Sequence, residues 1–341
     1  MRDFPKTLAI TGPTASGKTA LAVHLARKFR GEIVSVDSRQ VYRAMDLGTG
    51  KDLAEYGEVP YHLIDIADPS ETFDLHAFMR EAEKAVRAIA GRGRLPVLAG
   101  GTPLYLDALL RNYTLPGGAP DLRLRAELDR LTLAELNARL DALAPDGLAD
   151  FRGRDNFLRV RRAVEIVTAG GSPAAVGNAG FPGQDQVLVL GVHYPRAVIR
   201  ERIAKRLDAR LAAGMVQEVR ALHDAGLAWE RLERFGLEYR AVAEFLQKKC
   251  DFAAMRSNLL DRIRQFAKRQ DIWFRKMERA GLAIHWLPGG DRERAEILTA
   301  DFLAGRPLPA PEIRMIDTYY GPRDPGAGSP GQSAPNNSEE V

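Results

Sequence analysis

A chain of 341 residues, 45% apolar and 28% charged, can bury a core large enough for two domains, which excludes wholesale disorder. Lys and Arg number 49 against 45 Asp and Glu, a net charge of +4 too small to argue for a nucleic-acid partner unless the cations cluster. The single cysteine, Cys250, excludes a disulfide framework and a cysteine-based zinc finger, and no apolar run approaches the roughly 20 residues of a bilayer span, so a soluble cytoplasmic protein with no membrane contact is expected.

The first third alternates short apolar runs with amphipathic stretches. TLAIT (residues 7–11) precedes a helix from Lys18 to about Phe29; EIVSV (32–36) follows, and later LPVLA (95–99) before another helical pattern. This is the signature of parallel strands joined by helices, and it predicts a doubly wound α/β core. From about Leu115 the texture changes. LPGGAPD is a turn-rich break, and the segment to about Gly171 carries Leu, Ala, Arg and Asp at helical spacing. After the Gly/Pro-rich GSPAAVGNAGFPGQD, the run QVLVLGVHY reads as a strand that returns the chain to the sheet. The expected organisation is a P-loop α/β core over residues 1–114, a mainly helical insertion over 115–180, the core continued with basic helices over 181–310, and a disordered tail over 311–341. Helices are expected from about Ala197 to Ala225, Glu238 to Gln247 and Ala253 to Glu278.

Gly12-Pro13-Thr14-Ala15-Ser16-Gly17-Lys18-Thr19 fits G-x-x-x-x-G-K-[ST] between an apolar strand and a helix start. Glycines let the backbone wrap an anion, amides and the helix N-terminus point at phosphate oxygens, Lys18 adds a charge, and the Thr19 hydroxyl suits Mg²⁺. A P-loop leaves open whose phosphates it holds. The strand LPVLA ends in Gly100-Gly101-Thr102, without the acidic residue that an NTPase uses to organise Mg²⁺ and water, which argues against a motor or GTPase. Asp37 and Ser38 follow the strand EIVSV at the sheet edge that carries the P-loop. Asp37 can serve there as a general base or cap the following turn, and position alone weights the two equally.

GPTASGKTALA, VDSRQVYRAMDLGTGK, PYHLIDI and GRLPVLAGGTPLYLDALL, in this order, resemble the tRNA dimethylallyltransferase family over roughly residues 8 to 290. The resemblance implies transfer of a dimethylallyl group from dimethylallyl diphosphate to N6 of the adenosine beside the anticodon, with release of diphosphate. It makes residues Gly12 to Thr19 a diphosphate cradle, with Mg²⁺ as cofactor, and makes Asp37 the general base on the attacking amine. It also assigns Asp37, Ser38, Arg39, Gln40 and Thr102 to the tRNA contact, together with Arg123, Leu158, Arg159, Val160, Arg161 and Arg162 of the insertion.

Two basic helices fit that scheme. In RAVIRERIAKRLDARLAAGMVQEVRAL, Ile199, Ile203, Leu207 and Leu211 recur every fourth residue as a buried ridge, and Arg202, Arg206 and Arg210 form the ridge beside it. A solvated face is the commoner reading of any one of these arginines; by the family's R-I-x-x-R element, Arg206 reaches the diphosphate with Arg202 near it. RSNLLDRIRQFAKRQDIWFRKMER carries eight Lys and Arg against three acids, a positive face for RNA phosphates, over an apolar stripe of Leu259, Ile263, Phe266, Trp273 and Met277 expected in the core. His62 reads as structural. Glu238 stands where the family usually has a glycine, Leu158 where a Gln is common, and GTGKD replaces the frequent GTAKP. Other classes consistent with a P-loop are an adenylate isopentenyltransferase acting on free AMP, ADP or ATP, a nucleoside or metabolite kinase, and an RNA-binding protein with a vestigial loop. A monomer is expected.

Overall fold

TLAIT, GEIVS, LPVLA and VLVLGVH are buried along nearly their whole length, the pattern of central parallel strands covered on both faces. The computed structural model describes residues 5–116, 121–144, 148, 151, 153–173 and 178–318. In it these runs are β1 (Thr7–Thr11), β2 (Gly31–Ser35), β4 (Leu95–Ala99) and β5 (Val187–His193). The short edge strands β3 (Tyr61–His62) and β6 (His285–Pro288) complete a six-stranded sheet in the order β3-β2-β4-β1-β5-β6, parallel throughout. Neither edge strand is expected from the sequence, since a run of two or four residues has no period to detect.

Helices cover both faces. α1 (Lys18–Lys28) and α12 (Arg292–Leu303) bury Leu21, Leu25, Leu298 and Phe302 against Leu8, Ile10 and Ile33. On the other face α2 (Leu75–Gly91), α3 (Pro103–Leu110) and the 28-residue α11 (Phe252–Arg279) bury Phe78, Ile89, Leu106 and Phe274 against Ala9, Val34 and Leu98. A third core forms where α7 (Arg196–Ala212), α8 (Met215–Asp224), α9 (Trp229–Glu233) and α10 (Leu237–Leu246) pack on α11. The helix expected from Ala197 to Ala225 is thus two, broken at Gly214, which takes a left-handed φ of 107° that ends α7 and starts α8.

Within the insertion, α4 (Leu122–Leu128), α5 (Leu133–Leu143) and α6 (Phe157–Thr168) enclose a small separate core of Leu128, Leu136, Leu140, Val160 and Val164. Thr132 and Glu135 start α5 with a reciprocal capping box. Residues 311–318, taken above into the disordered tail, are bonded to the core: Met315 is buried, and the Glu278 carboxylate accepts the N–H groups of Met315 (3.1 Å) and Ile316 (2.9 Å) as well as Trp286 Nε1–H (2.7 Å). A backbone turn can be anchored this way without any apolar run to announce it. The rest of the expected tail, from residue 319, lies outside the described residues.

Glu165 of α6 clamps the insertion. Its buried carboxylate accepts both Arg125 Nε–H (2.7 Å) and Nη2–H (2.8 Å), and Arg162 Nη1–H (3.0 Å). Against desolvation, which alone would raise it, these arginines hold the Glu165 carboxyl below the ordinary range. Glu165→Ala leaves partly buried guanidinium groups without their anion and is expected to destabilise the insertion by about 2 kcal/mol. Hydrogen exchange over residues 121–168 checks it, and unchanged protection there would show that the clamp does not hold the helices together.

Candidate active site

The P-loop, the Asp37 turn and the Gly100–Thr102 turn follow β1, β2 and β4, so parallel pairing brings all three to the carboxyl edge of the sheet. Gly12 and Gly17 take φ values of 148° and 86°, and a Cβ on Gly12 would stand 2.9 Å from the Val192 carbonyl oxygen. Gly17 is the N-cap of α1 and supplies no side-chain cap, so the first amides of this helix remain available to an anion. Thr14, Lys18 and Thr19 line a cavity of about 520 Å³, while Pro13 faces a separate hollow and the buried Ser16 hydroxyl has no hydrogen-bond partner among the described residues.

Asp37 caps its own turn, the second of its two candidate readings. Its Oδ1 accepts the N–H groups of Arg39 (2.8 Å) and Gln40 (3.4 Å), capping the turn, while among the described residues Oδ2 makes no hydrogen bond and is left to the cavity that Asp37 lines. The turn is tied to its neighbour: Thr102 Oγ1 accepts Ser38 N–H (3.1 Å), and Thr102 N–H donates to the Val36 carbonyl (3.2 Å). Only glycine fits at position 100, because a Cβ there would fall 2.0 Å from the Val36 oxygen. Gln40 also lines the cavity, but its amide is bonded within the protein, accepting Ser35 Oγ–H (2.8 Å) and donating to the Gly50 carbonyl (2.9 Å).

The arginine row of α7 points at the loop because Ile199, Ile203 and Leu207 are buried beside it; Leu211 is only half-buried. Arg202 Nε–H donates to the Ala15 carbonyl (2.8 Å), with its guanidinium over the Tyr194 ring. Arg206 donates to the Thr14 hydroxyl, and Arg210 pairs with Asp52 at 3.1 Å. Burial, and then the charge of Arg206, pushes Lys18 down to about 8; burial, and then Arg210, pushes Arg206 down to about 10. Burial raises the Asp37 carboxyl, with Lys18 among the opposing influences. The cavity therefore holds cations that repel one another and a carboxyl displaced toward neutrality, an arrangement suited to a polyanion and a proton acceptor.

Glu238 lines the same cavity at the start of α10. Burial raises its carboxyl, and the arginines that oppose the rise are Arg206 and Arg210, which puts this departure on the anion side of the site. Phe266 and Trp273, expected in the core, both line the cavity, and Trp273 also packs against the core that Phe274 fills. Positions 263, 266, 270 and 273 form a stripe beside the stripe 259, 263, 267, 270 and 274; periodicity locates both but cannot tell a cleft from a core.

The insertion residues expected to touch RNA separate by direction. Arg123, Leu158 and Arg159 are exposed. Val160 points the other way and is fully buried in the core of the insertion, because it falls on the inner side of α6, so direct RNA contact by its side chain is corrected. Arg161 is paired with Asp129, and Arg162 with Glu165 and the Pro116 carbonyl. Several cations of α11 are likewise paired, Arg256 with Asp208 and Arg262 with Glu244, whereas Arg269 lines the cavity. His62 bonds to Glu32 (2.8 Å), and Asp65 is paired with the fully buried Lys51. Among the described residues there is no group of three or more His, Cys, Asp and Glu that could hold a metal, and no helix long and apolar enough to cross a membrane.

The IPP transferase sequence model matches residues 40–277, and an isopentenyl transferase model matches residues 5–58. A protein named tRNA dimethylallyltransferase 2 from Syntrophotalea carbinolica is 51% identical over 284 residues, 83% of this chain and 94% of the relative. The tRNA dimethylallyltransferase 1 of Geotalea daltonii is 46% identical over 291 residues, 85% and 93% of the two chains. The solved tRNA isopentenylpyrophosphate transferase of Bacillus halodurans superposes with a TM-score of 0.63 at 33% identity, covering 88% of this chain and 96% of that one. A eukaryotic dimethylallyltransferase, solved acting on tRNA, superposes at 0.75 with 26% identity, covering 89% and 81%.

The depressed Lys18 gives the anion cradle a pH signature. In the free protein Lys18 loses its proton as pH rises through about 8, and a bound polyanion favours the charged form. Binding of inorganic diphosphate near pH 8 is therefore expected to take up a proton and to weaken as pH rises further. Calorimetry in two buffers of different ionisation enthalpy measures the uptake. It should vanish in Lys18→Arg, whose charge is permanent; equal uptake by that variant would remove Lys18 from the cradle.

Proposed function

Since this chain belongs to the IPP transferase family, we propose that it transfers the dimethylallyl group of dimethylallyl diphosphate to N6 of the adenosine 3′ of the anticodon in tRNA, releasing diphosphate. The observation that carries this reading is the union, in one cavity, of the Lys18–Arg206 anion site with the unbonded oxygen of Asp37 and no acidic residue at the end of β4. An enzyme that hydrolyses a nucleotide must activate water. Alkyl transfer needs instead a stabilised leaving diphosphate and an amine held in line with it.

In this reading the bond between C1 of the dimethylallyl group and the bridging oxygen breaks, and its electron pair leaves with the diphosphate. Lys18, Arg206 and the first amides of α1 neutralise the charge that develops there. The N6 lone pair forms the new C–N bond, and Asp37 Oδ2 accepts the proton lost from the amine, which matters because that lone pair is delocalised into the purine. The adenine must leave its stack to reach Asp37, and Phe266, Trp273 and Thr102 line the cavity that would receive it. The exposed Arg123, Leu158 and Arg159 and the cavity-lining Arg39 and Arg269 would meet the rest of the RNA. Thr19 fits Mg²⁺: its hydroxyl lines the cavity and would be one oxygen of the sparse set with which this ion, completed by phosphate oxygens and water, is usually held. When bound, Mg²⁺ would supply further charge neutralisation on the diphosphate.

Purified protein with Mg²⁺ and labelled dimethylallyl diphosphate is expected to label unmodified tRNA and not AMP. Label in AMP alone would point to an adenylate isopentenyltransferase, and phosphate transfer from ATP to a kinase. Asp37→Asn should lower kcat by about 100-fold or more while tRNA affinity stays within about threefold, the pattern of a lost general base. Because burial raises the Asp37 carboxyl, the acid limb of kcat/KM should lie above the ordinary aspartate range and be absent from the variant. Equal turnover in Asp37→Asn would remove Asp37 from the chemistry.

A further inference from the structure

Gln270 sits in the second half of α11 and is 2% exposed, a position a primary amide tolerates only when both of its ends are bonded. Its Oε1 accepts the N–H of Thr14 at 2.8 Å, and its Nε2 donates to the carbonyl of Gly101 at 2.5 Å. The two ends are not interchangeable, because a backbone N–H can only donate and a carbonyl only accept, so the partners fix the amide's orientation.

Thr14 and Gly101 belong to the turns after the paired strands β1 and β4, and each leads into one half of the site. Thr14 opens the P-loop, and its hydroxyl accepts from Arg206. Gly101 precedes Thr102, whose hydroxyl holds the Asp37–Ser38 turn. A Cβ placed on Gly101 would lie 3.3 Å from Gln270 Nε2 and 3.4 Å from Lys18 Nζ, so the amide and the ammonium converge on one glycine. One loop amide, that of Thr14, is thereby committed to a side chain.

We propose that Gln270 is a positioning residue for prenyl transfer: it braces the diphosphate cradle against the turn that carries Thr102 and so fixes the separation of the leaving group from Asp37. It lines the cavity, but both ends of its amide are committed to the Thr14 and Gly101 backbone rather than left to a substrate. Because Phe266, Arg269 and Trp273 of the same helix face the cavity, the brace also joins the RNA-facing helix to the P-loop.

The inference rests on the function proposed above, and the two fail separately. A wild-type protein that prenylates no tRNA would sink that function, whereas calorimetric binding of inorganic diphosphate to the full chain tests the brace without it. Gln270→Leu, of similar size, leaves a donor and an acceptor unpaired and is expected to weaken diphosphate binding by about tenfold, with tRNA affinity within about twofold of wild type. In Gln270→Glu the ionised carboxylate sets an oxygen against the Gly101 carbonyl and a negative charge near the cradle, whereas the neutral acid can donate to that carbonyl. Its diphosphate affinity relative to wild type should therefore recover as pH falls from 8 to 6, while the ratio for Gln270→Leu stays flat. Wild-type affinity in Gln270→Leu, an equal loss of diphosphate and tRNA binding, or a flat ratio for Gln270→Glu would each overturn the brace.

Discussion

Mutual repulsion among cations gathered in one cleft is the constraint on which the rest of this molecule turns. Lys18 and Arg206 are each displaced from their ordinary ionisation first by burial and then by a neighbouring cation, Arg206 for the one and Arg210 for the other. No fold holds such groups together unless other contacts fix the elements that carry them. Here α7 is fixed by Ile199, Ile203 and Leu207, Arg210 is paired with Asp52, and Glu238 lies close enough for both arginines to act on its carboxyl. An anion placed among these cations would relieve the repulsion that remains.

The turns at the edge of the sheet decide what such an anion undergoes. β4 ends in two glycines, the first of which must lack a side chain because the Val36 carbonyl passes within 2.0 Å of where a Cβ would stand. That close approach goes with the bond of Thr102 across to the Asp37 turn, and it leaves no room for a side chain at position 100. Asp37 divides its carboxylate, one oxygen holding its own turn and the other facing the cavity. A single aspartate thus serves local structure while lining the cavity that Lys18 and Arg206 also line.

Charge on the RNA-facing side is less free than a count of arginines suggests. In the insertion, Arg125, Arg161 and Arg162 gather around Glu165 and Asp129, and Val160 fills the core beneath them, while Arg123, Leu158 and Arg159 remain exposed. On α11 the partition is similar: Arg256 and Arg262 are ion-paired, while Arg269 lines the cavity and lies near the Phe266 ring. Basic side chains that look alike in sequence thus divide into those that are ion-paired between helices and those left exposed or lining the cavity.

Features set by neighbouring residues were legible in the sequence. The β1, β2, β4 and β5 runs are continuous apolar segments, the P-loop is one local turn between a strand and a helix, and Asp37 is placed at the active edge simply by following a strand. Periodicity located α7 and α11 with their buried ridges, because one helical face repeats every three or four residues. What pairs those faces with the rest of the chain lies beyond such signals. Whether Phe266 and Trp273 face core or cleft, which arginines find a carboxylate, and where Glu238 points depend on elements that are distant in sequence. Gln270 is the extreme case: it is one more polar residue in a basic helix until folding brings it to Thr14, 256 positions away. A strand or a loop follows from the sterics and polarity of consecutive residues, whereas a brace between two turns exists only once the tertiary structure has set the distance it must span.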